Sequence, residues 1–195
     1  MSTSIDQAFI KQFEREVHEA YQRQGSKLRN TVRTIGNVNG SSAVFQKVGA
    51  GTASTKSTNS LVPVMNLDHS NIEVILEDYY AGDWIDRLDE LKINIDESQV
   101  IANAGAAALG RKTDELIINA LATASSNTIA DGNDIRSCFY YHKAAVGHAA
   151  ASDVEADVTW HGDRAAHFVN NMMSQGAGLI DENGVIIIGC DETPD

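Results

Sequence analysis

The chain has 195 residues, of which 43% are hydrophobic and 22% are charged, so it can bury a core and is not globally disordered. Its formal net charge is −12, which argues against sequence-specific nucleic-acid recognition, because phosphate binding needs a basic face. The sequence shows no apolar run near the ~18 residues of a membrane span and no pattern of a secretory signal. We therefore expect a soluble protein that has no membrane partner and stays in a reducing cytoplasm.

The charge is distributed unevenly along the chain. Residues 1–60 carry eight Lys or Arg and four Asp or Glu, a balance of +4, which leaves −16 on the remaining residues. One interpretation is a solvated acidic surface beside an incidentally basic terminus. The other is that the basic third reaches the acidic body of another copy and steers head-to-tail association.

The first 25 residues have the pattern of an amphipathic helix. Ser4 and Gln7 can form a capping box at its start, and Gly25 can stop it. Its apolar side chains recur every four residues, at Ile5, Phe9, Phe13, Val17 and Tyr21. This apolar stripe must be covered, either by the chain's own core or by a neighbouring subunit.

Residues 40–60 contain twelve Gly, Ser, Thr or Asn, with Val44, Phe45 and Val48 as the only substantial apolar groups. Such a segment cannot bury enough surface to order itself as an independent core. It is a linker, a disordered tip or a long two-stranded flap held by partners. Faint alternation in residues 28–38 and 61–64 favours the flap.

A strand and a long helix are predicted next. Residues 71–81 alternate with a period of two, with Ile72 and Val74 on one face. Residues 96–124 predict a helix at whose start Asp96 and Gln99 can cap each other's backbone N–H groups. At ~1.5 Å per residue this helix is about 40 Å long. The Ala- and Gly-rich stretch 102–110 lets another backbone approach this helix closely.

The last third of the chain is predicted to be rich in β-structure. After a turn-rich patch at residues 125–134, residues 154–161 alternate strictly between apolar and polar side chains. A second hairpin is predicted from Leu179 and Ile180, a turn at residues 181–184 and the apolar run 185–188. The order of helix, flap, strand, long helix and strands predicts an α+β fold.

Cysteine and histidine side chains are the candidates for catalysis or metal binding. Cys138 and His142 have a C-x-x-x-H spacing, and no second ligand pair stands at a recognised metal spacing. Cys138 lies in the apolar run 138–141, so we expect a buried, inert thiol. We predict no enzyme activity, no cofactor and no metal. The alternative, a small hydrolytic or ligand-binding α+β protein, would need Cys138, His142 and His161 to converge.

Two groups of short strings are similar to a known family. The first follows the flap and consists of Ile72-Glu73-Val74, Tyr79, Ala81 and Trp84. The second lies near the end and consists of Asn170-Asn171-Met172-Met173-Ser174, Gly176-Ala177, Ile180-Asp181, Gly184-Val185 and Cys190-Asp191-Glu192. Together with the order of elements, these strings resemble the major capsid proteins of tailed phages that share the Hong Kong 97 fold.

The resemblance implies a domain plan. It consists of an N-arm at residues 1–38, an extended E-loop at 39–70, a peripheral-domain strand and spine helix at 71–130, a turn at 131–134, and peripheral-domain strands at 135–195. Members of this family carry a sizeable axial domain between the spine helix and the final strands. Here only residues 125–134 fill that interval, so the sequence predicts that most of the axial domain is missing and that the turn replaces it.

The resemblance also implies a function. We expect a structural subunit that self-assembles into a capsid shell in the virion, by way of the host cytoplasm, through N-arm, E-loop and peripheral-domain contacts. Its main partner is itself, with other capsid or scaffolding proteins as further partners. The predicted assembly residues are Phe9, Phe13, Val17, Arg29, Arg33, Phe45, Lys47 and Lys56. A tail or scaffold-type structural protein is the alternative within the same class.

Overall fold

A computed structural model describes residues 25–90, 96–124, 128–129 and 135–191 of the chain. The described strands are β1 (Arg33–Ile35), β2 (Ser42–Val48), β3 (His69–Ile75), β4 (Glu77–Asp86), β5 (Thr128–Ile129), β6 (Ile135–Tyr141), β7 (Val146–His161), β8 (Ala166–Leu179) and β9 (Val185–Asp191). The described α-helices are α1 (Arg87–Glu90) and α2 (Glu97–Ala122). The predicted N-terminal helix, with Phe9, Phe13 and Val17, and the predicted turn at 131–134 lie outside the described residues.

The described strands form three sheets. The largest has the order β1-β7-β8-β4, and its centre is a long antiparallel hairpin of β7 and β8. Strands β2 and β3 form a separate two-stranded sheet, and β5, β9 and β6 form a third. With α2 packed against β4, β7 and β8, this is the predicted α+β layout.

The flap predicted from the small-residue segment is present. Strands β2 and β3 pair antiparallel from Ser42 opposite Ile75 to Val48 opposite His69, and residues 49–68, which we name the flap tip, join them. The arms of the flap do not fall at residues 28–38 and 61–64, where the alternation suggested them. The reason is that Ala43, Phe45 and Val74 are buried in a core cluster at the paired end of the flap, which we name the flap base. Residues 61–64, by contrast, are exposed.

Helix α2 begins and runs as the sequence predicts. The Asp96 carboxylate accepts a hydrogen bond from the Gln99 backbone N–H at 3.2 Å, which satisfies one of the free donors at the helix start. The predicted close approach is also confirmed. A Cβ on Gly105 would overlap the Asn171 side-chain amide of β8, and one on Gly110 would meet the backbone of Gly25 at 2.8–3.0 Å.

Two buried clusters make up the described core. One lies where the second half of α2 meets β9 and the start of β7, and its members include Ile117, Leu121, Val146 and Val185. The other lies at the flap base. It consists of Ala43, Phe45, Val74, Ala149 and Ile180. The second cluster joins the flap to the large sheet.

The predicted hairpin of residues 179–188 is wrong. Strand β8 ends at Leu179 in the large sheet, whereas β9 starts at Val185 in the three-stranded sheet, so the two strands do not pair. The backbone N–H groups of Ile180 and Asp181 both donate to the Ala145 carbonyl, at 2.7 and 3.1 Å. This contact, followed by a short 3₁₀ helix at Glu182–Gly184, sends the chain into another sheet.

Candidate assembly surfaces

The flap tip exposes a continuous apolar run. Leu61 is 93% exposed and Val64 is 84% exposed, and Val62 and Met65 beside them are also exposed. A large aliphatic side chain gains about 1.5–3 kcal/mol when it is fully buried, so an extended run of this kind is unfavourable in water. Its position at the end of a two-stranded arm makes it available to another molecule.

The outer edge of β7 is a second exposed surface. β1 pairs with β7 only from Gly147 to Ala149, and no strand among the described residues pairs with this edge farther along. The strand predicted at 154–161 is present as the second half of β7, but its apolar side chains are not buried. Val158 remains 51% exposed and Trp160 remains 44% exposed.

Aromatic side chains cluster where β7 and β8 are joined, an arrangement that no local pattern in the sequence predicts. On one face Trp84 packs against Phe168, with ring centroids 4.5 Å apart, and the Arg164 guanidinium lies 4.4 Å from the Trp84 ring centroid. On the other face the Trp160 and His167 ring centroids are 4.8 Å apart. Cross-strand pairing places these residues together, so only knowledge of the register could have predicted the two clusters.

Phe45 does not lie on the surface. Its side chain is fully buried, and its ring packs over Gly147 of β7, where an added Cβ would stand 2.8 Å from the ring. The Arg33 guanidinium lies 5.6 Å from the ring centroid. Phe45 therefore anchors the flap to its own subunit and is not exposed to a neighbour in this structure.

Three of the four basic residues predicted at the interface contact their own subunit. Arg29 forms an ion pair with Asp153 of β7 at 2.5 Å, and Lys47 forms one with Asp181 at 2.8 Å. The hydrogen bond from Lys47 is the main reason why the pKa of Asp181 lies below its usual value. Arg33 lies over Phe45, as described above. Lys56 is exposed in the flap tip.

A basic cleft of about 760 Å³ opens beside two of these residues. Arg29, Arg33, His142 and Lys143 contribute its ionisable side chains. His142 Nδ1 accepts a hydrogen bond from the Ala144 backbone N–H at 3.2 Å, so this side chain caps the 3₁₀ helix at Lys143–Ala145.

The residues that would have to converge in the hydrolytic alternative have separate partners. Cys138 lies on the exposed face of β6, and the expectation of a buried thiol is wrong, because Phe139 and Tyr141 take the inward positions of the strand. His142 caps a 3₁₀ helix, and His161 packs against Trp84, with ring centroids 5.0 Å apart. Across the described ranges, no three His, Cys, Asp or Glu side chains are grouped so that they could hold a metal ion.

A buried polar network between α2 and the large sheet was missed from the sequence. Thr113 donates to Gln175 Oε1 at 2.8 Å, and His148 Nε2 lies 3.1 Å from the same oxygen. All three side chains are buried, and burial lowers the pKa of His148. None of the described helices is both long and apolar enough to cross a membrane.

A long helix packs on a four-stranded sheet, and an extended flap exposes an apolar tip, an arrangement that suits a structural subunit that associates with other copies. The chain belongs to the phage capsid protein family: the family profile described as "Phage capsid protein" matches residues 5–135 and 125–192. It is a structural subunit of the capsid shell of a tailed phage, and its place is the virion. The prediction of a tailed-phage major capsid protein is confirmed.

Solved phage capsid structures have the same fold. The chain is similar to the capsid of cyanophage P-SCSP1u, with a TM-score of 0.74, 13% identity and coverage of 99% of this chain and 96% of that chain. A structure from Mycobacterium phage Adephagia has a TM-score of 0.72 and 9% identity, with coverage of 100% of this chain and 99% of that chain. The bacteriophage JBD30 capsid has a TM-score of 0.73 and 9% identity, with coverage of 96% of this chain and 72% of that chain. The predicted Hong Kong 97-type α+β fold is thereby confirmed. No curated protein matches the chain in sequence.

Proposed function

We propose that the shell is built through three regions of this chain, namely the N-arm, the flap and the peripheral hairpin of β7 and β8, and that the subunit acts by association without catalysis. The observation that carries the proposal is the apolar run of the flap tip, which is exposed and is not covered by any part of the chain that the structure describes. Homo-oligomeric assembly is what a capsid subunit performs. The flap tip is the surface best placed to mediate it.

The reach of the flap supports this role. Leu61 and Val64 lie eight and five residues before His69, the first residue of β3, so an extended chain can hold the apolar run roughly 16–26 Å from the paired part of the flap at about 3.3 Å per residue. Leu61, Val62 and Val64 then become candidates for burial against a second copy.

The edge of β7 is the acceptor that fits this run best. Val158 and Trp160 offer exposed apolar side chains, and no described strand pairs with the backbone groups of this edge, so they can bind an extended segment. Charge also favours the pairing. Residues 25–67 contain no Asp or Glu, whereas Glu155 and Asp157 alternate with the apolar positions of β7.

The test replaces Leu61, Val62 and Val64 together with Ser and follows assembly of the purified chain by light scattering and negative-stain imaging. We expect the particles to disappear, while circular dichroism and the unfolding midpoint stay unchanged because these side chains are exposed in the described part of their own subunit. Leu61→Ile with Val64→Ile, which keeps the apolar surface, is the matched control and should still assemble. Particles of normal size and yield from the triple Ser variant would remove the flap tip from the proposal.

The N-arm proposal has its own test. Deletion of residues 1–24 retains Gly25, which packs on Gly110, and Ser26, which binds Asp114, so the described fold is left intact. We expect this deletion to abolish assembly. Normal assembly of the shortened chain would exclude a role for the N-arm.

We further propose that the chain lacks most of an axial domain. Residues 123–134 are all that separate α2 from β6, and the two segments that match the family profile meet at residues 125–135. In the capsid family that the sequence resembles, axial domains meet around the centres of pentamers and hexamers. Expression in a bacterial cytoplasm followed by imaging tests this: we expect shells or sheets with open capsomer centres. Closed capsomers would contradict the proposal, and tubes or discrete rings would favour a tail-type component.

A further inference from the structure

The only two cysteines of the chain lie side by side on neighbouring strands. Cys138 of β6 stands opposite Ile188 of β9, and Cys190 of β9 stands opposite Arg136 of β6, so the two cysteines are diagonal neighbours on one face of the sheet. Their Sγ atoms are 3.9 Å apart. A disulfide bond brings the sulfurs to about 2.05 Å, so closure needs an approach of roughly 2 Å.

The position of the pair in the sheet favours this approach. Phe139, Tyr141, Val185 and Ile187 point the opposite way and pack in the core, whereas both cysteines are exposed. Rotation of the two side chains therefore displaces no core residue. A small oxidant can also reach both sulfurs.

We propose that Cys138 and Cys190 form a site of oxidative modification, at which a small-molecule disulfide such as oxidised glutathione closes an intrasubunit bond between β6 and β9. One protein thiolate attacks a sulfur of the small disulfide and releases one small thiol, which leaves a mixed disulfide. The second protein thiolate then attacks the protein-bound sulfur of that mixed disulfide and displaces the other small thiol. The two cysteines lose two electrons and two protons, and the small disulfide gains them.

The bond would join parts of the chain that are far apart in sequence. The cysteines are separated by 52 positions, and the interval holds the whole β7–β8 hairpin. The opposite end of the β6–β9 ladder, at Tyr141 and Val185, is already fixed in the core. The disulfide would fix the exposed end, so the three-stranded sheet could not open from that side. A reducing cell interior keeps both thiols reduced, and an oxidising medium closes the bond.

The experiment incubates the purified full-length chain with oxidised glutathione and counts thiols with a maleimide mass tag under denaturing conditions. We expect the count to fall from two to none, with no bound glutathione and no covalent dimer, and dithiothreitol should restore both thiols. Trypsin without reduction should give a linked pair of peptides, residues 137–143 and 165–195, because the flanking cleavage sites are Arg136, Lys143 and Arg164. The oxidised chain should also unfold at a higher denaturant concentration than the reduced chain.

Two variants make the result specific. Cys190→Ser should stop at one stable glutathione adduct on Cys138, because no second thiolate can displace it. Cys138→Ser combined with Ser137→Cys moves the thiol to the other face of β6, next to Gly189, and should retain glutathione at both cysteines. Stable double adducts, unreacted thiols or covalent dimers as the main product of the unmodified sequence would each overturn the proposal, as would an intrasubunit bond in the Ser137→Cys variant.

Discussion

Ser26 donates a hydrogen bond from its hydroxyl to the Asp114 carboxylate at 2.5 Å, which fixes the start of the described chain to the middle of α2. Asp114 is only 4% exposed, and the same carboxylate accepts the backbone N–H groups of Lys27 and Leu28 at 3.1 and 3.0 Å. A charged group this deep in a protein is stable only when its oxygens are well satisfied. The contact therefore sets where the N-arm leaves the body of the subunit.

We expect Asp114→Ala to lower the free energy of unfolding by about 3 kcal/mol, because it leaves three donors without their acceptor. Denaturant unfolding of the purified chain measures this. Glu115→Ala, one position along α2, is the control. Its exposed ion pair with Lys112 at 2.7 Å should contribute no more than about 0.5 kcal/mol. Equal losses in the two variants would contradict the role assigned to Asp114.

The buried His148 predicts a pH dependence of stability. Its Nε2 shares Gln175 Oε1 with the Thr113 hydroxyl, and its Nδ1 is buried with no hydrogen-bond partner among the described residues. Protonation would place an N–H donor at Nδ1 with no acceptor. Burial holds the pKa of His148 below its usual value and outweighs the hydrogen bond with Gln175, which raises it; nearby Arg29 lowers the pKa further and Asp153 raises it.

The sign follows from the unfolded chain, in which a histidine titrates near pH 6.5. Above that pH both states are neutral at this residue. Below it the unfolded state takes up a proton that the folded state does not accept until its lower pKa, so stability falls by up to about 1.4 kcal/mol per pH unit. His148→Gln removes this component. Denaturant unfolding from pH 7.5 to 5 should show a steeper loss for the unmodified chain than for the variant, and parallel slopes would contradict the assignment.

Local signals explain what the sequence predicted well. The start of α2 depends on Asp96 and Gln99, three positions apart, and the flap depends on a run of small residues. The errors came from contacts that are distant in sequence. Cys138 sits in a run of apolar residues that hides its alternation, and only the register with β9 shows that it faces outward. The pairing of β9 with β6 instead of β8 likewise depends on the whole chain.

Among the candidate assembly residues, too, local composition indicates the exposure of some positions, whereas others depend on contacts that are distant in sequence. Exposure of the flap tip follows from its composition, although the faint alternation at residues 61–64 favours an arm of the flap there. Phe45 is one of the residues predicted from the sequence to lie at an assembly interface. In the structure, the Phe45 ring fills the space that Gly147 leaves by having no side chain. Gly147 is about a hundred positions away from Phe45 in the sequence.

We expect Phe45→Ala to lower the free energy of unfolding by about 3–5 kcal/mol, because it removes a fully buried ring from the flap base and leaves a cavity. Val44→Ala is the matched control on the opposite face of β2, where the side chain is 53% exposed, and should change stability by no more than about 0.5 kcal/mol. Denaturant unfolding measures both. If Phe45→Ala unfolded like the control yet failed to assemble, Phe45 would be an intersubunit contact after all.

The charge of the flap tip predicts a salt-dependent rate of assembly. Lys56 is exposed near the end of the flap, whereas Arg29 and Lys47 are already ion-paired within their own subunit, so Lys56 is the better position at which to test steering. If the flap approaches the acidic edge of β7 in another copy, Lys56→Glu turns an attraction into a repulsion. Time-resolved light scattering at low salt should show assembly slowed by roughly threefold or more.

The same measurement near 1 M salt, where the Debye length is about 3 Å, should bring the rate of Lys56→Glu close to that of the unmodified chain. Lys112→Glu is the control for net charge, because it makes the same change of two charges on α2 and leaves the flap unchanged. It should have little effect on the rate at either salt concentration. A defect in Lys56→Glu that persists at high salt would mean that Lys56 makes a short-range contact and that long-range attraction does not guide the flap to its neighbour.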